Sequence, residues 1–160
     1  MRATLEAARE ELKRVDHQIY VSLKYTRTVD VLLNIMHRMI EGYDFLLESF
    51  LKYANEIKMI QDIPASPKER VALVNRLFPE PEVQENLELY LLLRKLVIAG
   101  YSKEQEYRRH VAMIAHLQGG EVEVNIDVIT NYFIILRSFL QYVENKVRTH
   151  EEGPDWQGKI

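Results

Sequence analysis

The sequence predicts an all-α fold, an antiparallel bundle of five to six helices. Three observations predict it. Apolar residues recur at spacings of three and four along most of the chain. The 6 Gly and 5 Pro among 160 residues fall mainly between those periodic stretches. The connections that remain are short, and short connections favour antiparallel neighbours.

The elements follow in order. Residues 4–25 place Leu5, Ala8, Leu12, Val15, Ile19 and Leu23 on one narrow stripe, with Glu and Arg on the other faces. Residues 28–60 form a second helical stretch with Leu32, Met36, Met39, Tyr43, Leu46, Phe50, Ala54 and Ile57 at the same spacing. The break between the two is placed at Thr26-Arg27-Thr28, because Thr is poor in a helix interior and serves as an N-cap. A single continuous helix is the alternative. Gly42, inside the second helix, points to a kink or to close packing.

Ser66-Pro67-Lys68-Glu69 starts a third helix, with Ser66 as cap and Pro67 in the first turn, ending near Phe78 before Pro79 and Pro81. A fourth runs from about Glu82 to Ala99. It is apolar nearly all round, which predicts a central, buried helix with Gly100 as its C′ residue. Ser102-Lys103-Glu104-Gln105 reads as another capping box opening a helix to about Leu117. Gly119-Gly120 turns the chain, and alternation over Glu121–Ile126 leaves room for a short extended segment. A closing helix covers about 127–149. The expected organisation is a single bundle domain over 1–149 with a frayed tail over 150–160.

Composition removes whole classes of function. There is no cysteine, so disulfide scaffolds, thiolate zinc sites and cysteine nucleophiles are excluded together. No Glu stands three residues before any of the five His, and no two His are four apart. No metal or other cofactor is therefore expected. His37 and Glu41 are a lone pair best read as solvated side chains. No Gly-rich phosphate loop and no nucleophile elbow occur. Met1 to Tyr20 is charged throughout and lacks the apolar core of a signal peptide. No uninterrupted apolar run reaches membrane-spanning length, and the chain is expected to be cytoplasmic. The net charge is -3. That leaves no broad basic field, so any nucleic-acid contact must be local.

One segment carries candidate chemistry: Tyr107-Arg108-Arg109-His110-Val111-Ala112-Met113-Ile114-Ala115-His116. Wound as a helix, it puts Tyr107, Val111, Ile114 and Ala115 on the core face. Arg109 and His116 then lie almost opposite, two turns apart on one line. An Arg holds a phosphate and an imidazole moves a proton near neutral pH, the two functions that phosphodiester cleavage needs. Met113, off the core face, suggests that a second subunit covers this surface.

The segment resembles the signature of the HEPN domain family, helical bundles of about this length that include many metal-independent endoribonucleases. That signature is Arg, four to six residues, then His, often with a polar residue directly after the Arg. Arg109 through His116 has six residues between, and His110 fills the polar position. The placement is similar too, at the end of a penultimate helix before a long closing one. The resemblance implies His116 as general acid/base, Arg109 as phosphate ligand and His110 in support. It also implies a homodimer with the motifs at its seam, RNA as ligand and, for a toxic nuclease, an antitoxin partner.

Two function classes stand against each other. One is an RNA-binding, RNA-cleaving dimer of HEPN type. The other is a non-catalytic helical interaction module or small subunit of a larger complex, favoured by the long second helix and the near-neutral charge. A ligand-binding bundle enzyme comes third, with nothing to specify its substrate.

Overall fold

In the computed structural model of the chain the described residues form five helices and one three-stranded antiparallel sheet, so the fold is not purely all-α. The backbone is described for residues 1–158 and the side chains for residues 1–151. The expected tail over 150–160 thus lies mostly outside the described side chains.

Helix α1 (Arg2–His17) runs on through a π-helical turn (Gln18–Ser22) and a last α-turn (Leu23–Tyr25). The π turn has a sequence cause. Val15, Ile19 and Leu23 are each four residues apart, a period that drifts off the core side of a regular 3.6-residue helix. Widening one turn keeps all three buried. It also leaves Tyr20, Val21 and Tyr25 exposed.

The chain breaks at Thr26–Thr28, as the sequence predicts. Thr26 is extended, and the Thr28 side chain caps α2 (Val29–Glu56) by accepting from the Val31 amide at 3.3 Å. Gly42 marks close packing. A Cβ there would stand 3.1 Å from Leu12 Cδ1, so the glycine lets α1 and α2 approach. Helix α3 (Pro67–Leu77) starts at Ser66, whose hydroxyl accepts from the Glu69 amide.

Helix α4 (Pro81–Ile98) is less central than its composition predicts. Leu87, Leu89, Leu93 and Leu96 are buried, but Leu91 is partly exposed and Ile98 is 84% exposed. The helix ends on an extended Ala99, and Gly100 opens a strand instead of a C′ turn. Helix α5 (Ile126–Gly158) closes the chain. Its start is fixed by Asn125, whose Oδ1 accepts from the Val128 amide at 2.8 Å.

The core lies where α2, α4 and α5 meet. Phe50 stacks on Phe78 with ring centroids 4.0 Å apart, and Tyr43 sits against Tyr90 and Phe139. Burying each such ring contributes about 1.5–3 kcal/mol. Tyr43 donates to Asn86 Oδ1 at 2.7 Å, and Asn86 in turn donates to the Glu82 carbonyl and the Ser138 hydroxyl. That satisfies the polar groups inside the apolar contact.

The main correction falls on residues 100–125. The expected helix from Ser102 to Leu117 is instead a strand β1 (Gly100–Glu104), a loop, and a strand β2 (Ala112–Leu117). The extended segment foreseen after Gly119-Gly120 is real and forms β3 (Gly120–Asn125). Its existence explains the error. A strand cannot leave its amides and carbonyls unpaired, and the nearest partner, across the Gln118-Gly119 turn, is β2, with Leu117 paired to Gly120. Register pairs Met113 with Lys103 and Val124, and His116 with Gly100 and Glu121. Met113, Ala115 and Val124 face the core, and Ser102, His116 and Glu121 lie on the opposite face.

Candidate functional site

The strand pairing separates the residues that a helix would have aligned. Arg109 and His110 lie in the loop before β2 and line a cleft of about 380 Å3 with Arg27. His116 stands near the far end of β2 and lines a different groove, against α4. Four residues of strand span about 13 Å, and Arg109 is three residues beyond the strand start. The line of Arg109 and His116 on one helix face therefore does not exist. Tyr107, expected in the core, is 78% exposed. Met113, expected to be covered by another subunit, is buried in the protein's own core.

The loop itself is built with care. Its Tyr107 amide donates to the Arg27 carbonyl at 2.6 Å. Its Glu106 carboxylate accepts from the Val29 amide at 3.0 Å, adding a second cap to the α2 N-terminus where negative charge is favoured. Lys103 reaches both Asp30 and Glu106, at 3.5 and 3.6 Å. These two carboxylates, Asp30 first, hold its ammonium above the usual lysine range. Gln105 and Tyr107 have φ of 51° and 66°, left-handed values that cost a non-glycine residue about 1–2 kcal/mol. The contacts to Arg27 and Val29 sustain that strain, and its effect is to hold an aromatic ring in solvent.

The result joins two segments distant in sequence. Arg27 bonds to Tyr107 and lines the cleft with Arg109 and His110, and the segment just before it carries Lys24 and the 79% exposed Tyr25. Arg27 Nε is buried without a partner among the described residues. Glu104, Glu123 and Asp127 also line the cleft, so its floor is mixed in charge while Arg108 and Lys24 lie outside it. The sequence reading missed Tyr25, Lys24 and Arg27. The signal for them was the exposed aromatic and basic content around a helix break, which periodicity alone does not connect to residue 107.

His116 has its own surroundings on the outer face of the sheet. Ser102 Oγ lies 3.1 Å from its Nε2, and Glu121 Oε1 lies 3.4 Å from its Nδ1. No group of three or more metal-ligating side chains occurs among the described residues. No described helix is long and apolar enough to cross a membrane.

Comparisons with protein-family models, with curated proteins and with solved structures found no match for this chain.

Proposed function

We propose that the chain is an RNA-binding module that takes a single strand, without cutting it, across the end of the fold made by residues 24–27 and 105–110. The observation that carries the reading is the Tyr107–Arg27 backbone contact, which joins two segments that carry the exposed Tyr25 and Tyr107 together with Arg27, Arg108 and Arg109. Unpaired bases stack on aromatic rings, and arginines hold the phosphates between them. With a net charge of -3 the capture is local, so binding is modest and short in footprint. The carboxylates of the cleft keep phosphates out of its floor, which places the backbone over Arg108 and Lys24. Cleavage is not part of the proposal, because Arg109 and His116 sit at opposite ends of β2.

The test is fluorescence anisotropy with a labelled single-stranded RNA of about 12 nucleotides, a typical footprint for such surfaces. Tyr25→Ala and Tyr107→Ala should each weaken binding about tenfold, a stacking contribution of ~1–3 kcal/mol per base. The RNA should be recovered intact. Equal affinity in the parent and both variants would sink the reading. Cutting that disappears in His116→Ala would return the site to a nuclease.

A further inference from the structure

The outer face of the sheet carries a serine, a histidine and a carboxylate in one row, and RNA binding uses none of them. Ser102 on β1, His116 on β2 and Glu121 on β3 all point outward, as the register requires. Ser102 Oγ is 3.1 Å from His116 Nε2, and Glu121 Oε1 is 3.4 Å from His116 Nδ1. Glu121 favours the tautomer with hydrogen on Nδ1. That leaves the Nε2 lone pair for the Ser102 hydroxyl, the pairing of nucleophile, base and orienting group that activates a serine.

Two further observations make room for a substrate. Gly100 is the residue paired with His116 on β1, and a Cβ there would meet nothing within 4 Å, so one flank of the imidazole is open. His116 and Glu121 also line a groove of about 800 Å3 whose walls include Leu91, Leu92, Ile98 and Leu117. Ile98 is 84% exposed there, and an exposed apolar surface beside polar groups marks a ligand site. Lys95 stands in the same groove as a cation.

We propose that Ser102, His116 and Glu121 form a serine-type acyl-transfer site for esters with a small apolar acyl group. Ser102 Oγ bonds to the ester carbonyl carbon as its proton passes to His116 Nε2. Lys95, in the groove that His116 lines, is the cation assigned to the negative oxygen of the tetrahedral intermediate. Collapse breaks the ester carbon–oxygen bond, and the departing oxygen takes the proton from Nε2. A water then attacks the acyl-Ser102 ester, giving its proton to Nε2. That proton returns to Ser102 Oγ as the carboxylic acid leaves. Ser102 and His116 are the catalytic residues, and Glu121 is a positioning residue.

The experiment uses the full chain with p-nitrophenyl butyrate as substrate and a fluorophosphonate as covalent probe, with circular dichroism to show that each variant is folded. Mass mapping should place the phosphonyl group on Ser102, and His116→Ala should abolish the labelling. Ser102→Ala should lower kcat/KM about 100-fold. Glu121→Gln should lower kcat with KM unchanged, and Glu121→Asp should restore part of it. Ile98→Ser should raise KM for the butyrate more than for the acetate. Hydrolysis by Ser102→Ala at the parent rate would reduce the site to a lone imidazole and overturn the proposal. Absence of both labelling and hydrolysis in the parent would overturn it equally.

Discussion

Tyr107 holds a backbone φ of 66° while its amide hydrogen goes to the Arg27 carbonyl at 2.6 Å. The hydrogen bond and the strain belong together, since the loop reaches residue 27 only through this left-handed turn. Glycine adopts such a φ freely but loses more entropy on folding. Tyr107→Gly should therefore leave stability unchanged or raise it by up to about 1 kcal/mol. The same change removes a ring and should weaken RNA binding about tenfold. Thermal denaturation and anisotropy on one preparation read the two effects. A variant that binds like the parent would show that the ring is not a stacking platform.

The salt dependence of binding separates the loop from the strand. Each phosphate neutralised on a single strand contributes about 0.7 to the slope of log affinity against log salt. Replacing Lys24 and Arg108 together by Ala should lower the slope by about 1.4, two such contacts. His116→Ala should leave both slope and affinity unchanged, because His116 lies near the far end of β2 and lines a different groove. A loss of affinity in His116→Ala equal to that of the double variant would place the RNA across the sheet instead.

Most of the helical frame was legible in the sequence, and the hairpin was not. The stripes of α1, α2 and α5 and the Thr28 and Ser66 caps are local signals, fixed by residues within a few turns of one another. Residues 111–117, Val-Ala-Met-Ile-Ala-His-Leu, are ambiguous by themselves. Ala and Met suit a helix, and Val111, Ile114 and Ala115 fit its period. What decides the strand is non-local: β3 needs a partner, and β2 supplies it across the Gln118-Gly119 turn. The β1–β2 pairing brings Ser102 to His116, and the loop between those strands brings Tyr107 to Arg27, so neither constellation is visible from spacing. Arg109 and His110 do share a cleft as neighbours, while His116 belongs to another site.

The buried Tyr43–Asn86 hydrogen bond ties α2 to α4. Tyr43 and Asn86 have no solvent exposure, and Asn86 Oδ1 receives the phenol hydrogen at 2.7 Å. Tyr43→Phe keeps the ring against Tyr90 and Phe139 but leaves that oxygen unsatisfied. The expected loss is about 1–3 kcal/mol in chemical denaturation, with an unchanged denaturant slope. A loss below about 0.5 kcal/mol would mean that Asn86 finds its hydrogen elsewhere.

Alkaline pH should destabilise the protein through the same core. Burial raises the Tyr43 phenol well above its ordinary value of 10.0, with the nearby Glu85 charge adding to it. Burial also raises Tyr90, and its hydrogen bond to Asp44 raises it further. A phenol whose folded pKa exceeds its unfolded one contributes full stability below the unfolded pKa. As pH climbs past about 10 the unfolded chain ionises first, and stability falls with each step toward the folded pKa. The denaturation midpoint should thus be flat from pH 7 to about 9 and fall steadily above about 10. Tyr90→Phe should make that decline shallower, because it removes one of the phenols that burial raises, Tyr132 and Tyr142 being others, even if the variant is less stable at pH 7. An alkaline limb with the same slope in Tyr90→Phe and the parent would assign the decline to other groups.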